Sequence, residues 1–307
     1  MYTPSLFPPV HRADMLLGSA RQPWRLSPRR SAGSGPRSAP DPLALRLYQA
    51  GVLVAVVGGA MLLTACSGGG DDPPARVSQT VRVVDGPIGG ARVCLDANDN
   101  GACDAGEVQG TTAADGRVTL DVPAADAGKF PVLALVGTDA VDADNGPITT
   151  AYSLKAPADK PAVVSPLTTM VAAQAAATGS SSDDAACLLA DRLGLAGSLF
   201  ADFSGASDAA GQQASAVARL LVVTTQQQLA ATADAKGGDG QPLSATDRGL
   251  AIRQALLSSI DDVAAAANAP AVTAAATPAA RAEAISAAAT AVAAATGLDA
   301  GNIAAAV

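Results

Sequence analysis

At Ser165 the chain changes texture, and that change limits its possible folds more than any other feature. From residue 77 to 164, short runs rich in Val, Thr and Leu alternate with Gly, Asp, Asn and Pro, the pattern of strands joined by turns. From 165 onward alanine dominates, and larger apolar residues recur at helical spacing. The expected class is α+β, as separate domains: a small antiparallel β-sandwich over 77–164, then an Ala-rich helical bundle over 165–307. With 49% hydrophobic but only 3% aromatic residues, both cores must be built mainly from Ala, Val and Leu.

Six strands are expected in the first part, at 77–84, 91–95, 108–112, 117–122, 130–136 and 148–154, with Asp115-Gly116 as a hairpin turn. In the second part, Ser165 and Pro166 open a helix running to about Thr178. Asp183-Asp184 start another that ends near Gly194, their charges opposing the helix dipole. A long helix is expected within 207–235, a fourth from Ser244 to about Asn268, and a fifth from Thr277-Pro278 to Gly297.

The clearest chemical pattern lies between the second and third strands. Counting Asp96 as position 1, Asp96, Asn98, Asn100, Asp104 and Glu107 fall at positions 1, 3, 5, 9 and 12, with Gly101 at 6. That is the spacing of a twelve-residue calcium loop of EF-hand type. A hard cation takes several oxygens, so the chain must wrap it with alternate residues turned inward, and glycine permits the sharp bend. The Ala102 carbonyl would supply position 7. Two of the positions are Asn rather than Asp, position 8 is Cys103, and no amphipathic helix flanks the loop, so weak calcium affinity is expected. A polar loop held by Asx turns would use the same residues without a metal. A second acidic cluster, Asp139, Asp142, Asp144 and Asn145, suits either a hairpin turn or further cation ligands.

The first 65 residues read as a leader. Residues 50–64 form an uncharged apolar run, too short to span a bilayer and suited to a signal peptide. Leu63-Thr64-Ala65-Cys66 resembles the bacterial lipobox, which implies lipidation of Cys66, a membrane anchor and a cell-envelope location. Ser67 after that cysteine resembles the outer-membrane sorting pattern. Residues 66–76, with Gly68-Gly69-Gly70 and Pro73-Pro74, form a flexible tether. In an exported chain disulfides persist, and a bridge between Cys94 and Cys103 is expected to pin the calcium loop. Cys187 has no obvious partner and is expected to be a small buried residue.

Several stretches together resemble the calcium-loop, immunoglobulin-like modules of bacterial surface proteins, namely the SdrD B-like and carboxypeptidase-regulatory-like domains. They are Val84-Asp85-Gly86-Pro87-Ile88, then 93–107, then Ala114-Asp115-Gly116. Val164-Ser165-Pro166-Leu167-Thr168-Thr169 resembles a segment that follows such modules. The resemblance covers roughly 77–170, and it implies a sandwich used for display, spacing or adhesion, without catalysis.

Composition narrows function further. The sole histidine, His11, falls in the leader, so a chain cleaved before Cys66 cannot use imidazole in a triad or a zinc site. The leader holds seven arginines and two aspartates, so its removal leaves a chain more acidic than the −8 of the whole. An acidic surface disfavours nucleic-acid binding. Phosphate-loop, nucleophile-elbow and zinc-helix motifs are not found. The expected function is therefore a non-enzymatic envelope lipoprotein, a calcium-stabilised scaffold or partner-binding module with an unknown protein partner. The alternatives are a periplasmic accessory protein whose helices bind a small apolar ligand and, least favoured, a hydrolase working through carboxylates alone.

Overall fold

The valine-rich runs form strands because their branched side chains suit a pleated, half-buried surface. The computed structural model describes residues 74–307; the leader, Cys66 and the tether as far as residue 73 lie outside them. The strands are β1 (Arg76–Val83), β2 (Ile88–Gly89), β3 (Arg92–Leu95), β4 (Gln109–Thr111), β5 (Arg117–Pro123), β6 (Val132–Val136), β7 (Val141–Asp142), β8 (Gly146–Pro147), β9 (Tyr152–Ala156) and β10 (Val163–Val164). The helices are α1 (Pro166–Thr178), α2 (Ser182–Leu193), α3 (Ala209–Ala231), α4 (Ala245–Ser258), α5 (Ile260–Ala267), α6 (Pro270–Thr273) and α7 (Pro278–Thr296). A 3₁₀ turn, Ile303–Ala306, closes the chain. The protein is thus mixed α+β, as expected.

Among the described residues three small sheets form, in the orders β10-β1-β5, β2-β7-β8 and β4-β3-β6-β9. The long antiparallel pair runs from Arg76↔Pro123 to Arg82↔Arg117. Two expectations need correction. The Asp115-Gly116 turn does not close a ladder between its flanking strands: β4 pairs with β3, and β5 with β1. The turn carries the chain from one sheet to the other, and Gly116 lets it pass close to β1. At φ +77° a Cβ there would also lie 2.6 Å from the Val83 carbonyl oxygen. In addition, β10 joins β1 in parallel, not antiparallel, through Arg82↔Val163 and Val83↔Val164.

Side chains from the β10-β1-β5 and β4-β3-β6-β9 sheets and from the helices belong to one continuous core, which includes Val83, Leu154, Leu167, Leu220, Ile252 and Ile303. The described residues, 74–307, all belong to one compact unit. The physical reason is visible at the start of α1. Ser165 and Thr168 form a capping box, and Pro166 takes the first helical turn. In the same turn the Thr168 hydroxyl donates to the Lys155 carbonyl at 3.0 Å, while Lys155 N–H donates to Thr169 Oγ1 at 2.8 Å. The helix is therefore stitched to β9, and Leu167, Met170 and Val171 are buried against the strands. An apolar sheet face must be covered, and here α1 helps to cover it.

The expected fourth helix, 244–268, is divided at Ser259, which caps α4 and precedes α5. The Ser258 hydroxyl bonds back to the Gln254 carbonyl at 3.1 Å, the local competition that bends helices. Cys187 is exposed rather than buried. Ala185, Ala186, Leu189 and Leu193 form the buried face of α2, and position 187 falls on the opposite side.

Candidate metal centre

The loop at 96–107 joins two antiparallel strands of one sheet. Cys94 of β3 faces Gln109 of β4, and Leu95 N–H donates to the Val108 carbonyl at 3.0 Å. Because side chains alternate along β3, Val93 and Leu95 enter the main core, while Cys94 joins Cys103 and Leu133 in a small cluster of its own. The Cys94 and Cys103 sulfurs are at disulfide distance, 2.07 Å apart. Arg92 Nη2 donates to the Cys103 carbonyl at 3.1 Å, tying the same stretch to β3.

Within the loop the expected ligand residues gather on one another. Asp96 is fully buried; its Oδ1 accepts from Asn100 N–H at 3.0 Å and its Oδ2 from Gly101 N–H at 3.1 Å. Asn100 Oδ1 accepts from Ala102 N–H at 2.9 Å. Glu107 reaches back across the loop, accepting from Ala97 N–H at 2.8 Å and Asp104 N–H at 2.9 Å. The Asn98 and Asn100 amides donate to Asp104 Oδ2 at 2.9 and 2.8 Å. These bonds hold the Asp104 carboxyl below its ordinary pKa, since they favour the charged form.

The donor set is all oxygen, which suits a hard cation. Among the described residues, however, no three His, Cys, Asp or Glu side chains gather as a metal-holding group. The expected set also includes the Asn98 and Asn100 amides and the Ala102 carbonyl. Lys155 was not foreseen: its ammonium lies 3.6 Å from Asp96 Oδ2 and pairs with Asp99. A cation entering the loop would meet that charge.

Glycine at position 6 has two reasons. Gly101 has φ +71°, and a Cβ there would lie 2.7 Å from Thr246 Cγ2. The loop tip therefore rests on the first turn of α4.

The second acidic cluster folds as a hairpin turn between β7 and β8. Asp142 is buried and accepts from Asp144 N–H at 2.9 Å and from Asn145 Nδ2 at 2.8 Å. Beside it lies a site absent from the sequence reading. Arg219 of α3 pairs with buried Asp85 at 2.7 Å and stands 3.7 Å from Asp142. Burial pushes the Asp85 carboxyl up to about 6; Arg219 opposes that rise, and Asp142 adds to it. Burial, together with Asp85 and Asp142, also raises the Tyr152 hydroxyl well above its ordinary value. The available signal was one arginine inside the apolar stretch Val217-Ala218-Arg219-Leu220-Leu221.

Comparison with known proteins gives no match to a family model, a curated protein or a solved structure.

Proposed function

We propose that the chain is a non-enzymatic envelope lipoprotein, anchored through Cys66 in the outer membrane, whose strand-rich part is a calcium-stabilised module for scaffolding or for binding a protein partner. The observation that carries the calcium reading is the closed loop at 96–107, where Asp96, Asn98, Asn100, Asp104 and Glu107 are tied together by hydrogen bonds within the loop and Cys94 and Cys103 hold the base. Bound calcium would neutralise the three carboxylates and rigidify the turn, with Ala102 adding its carbonyl. We read the β10-β1-β5 and β4-β3-β6-β9 sheets as the two leaves of a sandwich, since both contribute inward residues to one core. The anchor and its membrane rest on the lipobox-like residues alone.

Calcium titration of the full chain by calorimetry, with thermal melting alongside, tests the reading. One equivalent is expected to bind in the 10⁻⁴–10⁻³ M range of extracellular modules and to raise the melting temperature. Asp96→Ala and Glu107→Gln should abolish both effects. Binding that survives both substitutions, or none at millimolar calcium, would return the loop to a self-bonded turn. A second reading, an accessory protein holding a small apolar ligand, is favoured by a cavity where β9 meets the helices.

A further inference from the structure

Between β9 and helices α3 and α4 lies a cavity of about 170 Å³. Leu135 and Leu229 give it apolar walls, and the hydroxyl-bearing Ser153 and Thr246 also line it. Arg253 is the one charged residue on its lining.

That arginine differs from three others in the fold. Arg82, Arg192 and Arg219 each meet an aspartate. Arg253 forms no ion pair among the described residues; the hydrogen bond recorded for it there runs from Nη1 to Ser153 Oγ, at 3.4 Å. Burial pulls its pKa below the ordinary guanidinium value, with Asp99 opposing this from a greater distance. A guanidinium nevertheless remains charged at any physiological pH. Gly249, one turn earlier on α4, leaves room beside it: a Cβ there would lie 3.4 Å from Arg253 Nη1. The cleft thus sets a forked donor without an ion-pair partner beside apolar walls. A carboxylate matches that fork with two parallel hydrogen bonds, and the walls call for a hydrocarbon body. The volume limits the body to about six water-sized groups.

We infer that this cleft binds a small apolar carboxylate, its carboxyl on Arg253 and its hydrocarbon body between Leu135 and Leu229. The inference deepens the ligand-holding reading above and requires neither calcium nor the lipid anchor. An amine of the same shape would face repulsion from Arg253, and a neutral amide would lose the charge-assisted pair.

Calorimetric titration of the full chain with hexanoate, benzoate, hexanamide and hexylamine tests it, with and without calcium. At least one of the two carboxylates should bind, tenfold or more tighter than hexanamide, and hexylamine should not bind. Arg253→Gln should weaken the carboxylate at least tenfold while leaving hexanamide unchanged, and Arg253→Lys should restore part of the loss. Failure of both carboxylates to bind overturns the inference, as does equal affinity for acid and amide or an Arg253→Gln variant that binds as well as the parent. The ligand series on the unsubstituted protein decides the matter if Arg253→Gln fails to fold. Loss of calcium binding in the Asp96→Ala chain with hexanoate binding intact would separate failure of one site from failure of the other.

Discussion

The loop at 96–107 and the cluster of Asp85, Asp142 and Arg219 are both acidic, yet they are built in opposite ways. In the loop, carboxylates meet amides and backbone N–H groups at most ten residues away along the chain. In the cluster, Arg219 reaches Asp85 across 134 residues. Of the loop's carboxylates only Asp96 is buried, whereas Asp85 and Asp142 both are. Local acids shape a turn, while distant ones fasten α3 to the turns after β1 and β7.

Removing the cation from the buried cluster should have the largest effect. Arg219→Met leaves two buried carboxylates without their counter-charge, and the expected loss is about 3–5 kcal/mol in chemical denaturation at pH 7. A loss below about 1 kcal/mol would show that solvent reaches the cluster and would erase its contrast with the loop. Disturbing the loop should cost less. Gly101→Ala places a Cβ at φ +71° and against Thr246, and about 2 kcal/mol of destabilisation is expected. Combining it with Thr246→Ser should recover part of that loss, because the crowding atom is the Thr246 methyl. Full additivity in the double-mutant cycle would mean that the loop and α4 do not communicate.

The smallest effect is one of pH. The Asp85 carboxyl titrates near 6 in the folded state against an ordinary 3.8, so the folded state holds the proton more tightly. Its contribution to stability is complete below about 3.8 and is lost as pH rises through about 6. Between pH 7 and pH 5, therefore, Asp85 should add on the order of 1 kcal/mol to the unfolding free energy. Asp85→Asn should remove that increment. A variant whose stability between pH 5 and 7 follows the parent would refute the assignment.

The same distinction governs how much the sequence revealed. Helices α1 and α7 were readable to their ends because their signals are adjacent residues: Ser165-Pro166 and Gly179 for one, Thr277-Pro278 and Gly297 for the other. The loop's spacing was likewise local, and so was the pairing of Cys94 with Cys103. Long-range features were not legible. Nothing near Val163-Val164 announces a parallel partner in β1, and nothing near Arg219 names Asp85. Lys155, placed against Asp96 by the pairing of β6 with β9 and of β3 with β6, also has no local sign. The divided fourth helix was missed for a different reason: the serine pair at 258–259 interrupts an apolar periodicity that otherwise continues through Ile260 and Val263.

Seen as polymer physics, the seam between β9 and α1 has a consequence for assembly. The bond from Lys155 to Thr169 closes a span of 14 residues, and that from Arg219 to Asp85 closes 134. The entropy of bringing chain ends together grows with the logarithm of their separation, which makes the longer closure about 2 kcal/mol harder. The strand-to-helix junction can therefore stand before the charges of α3 arrive.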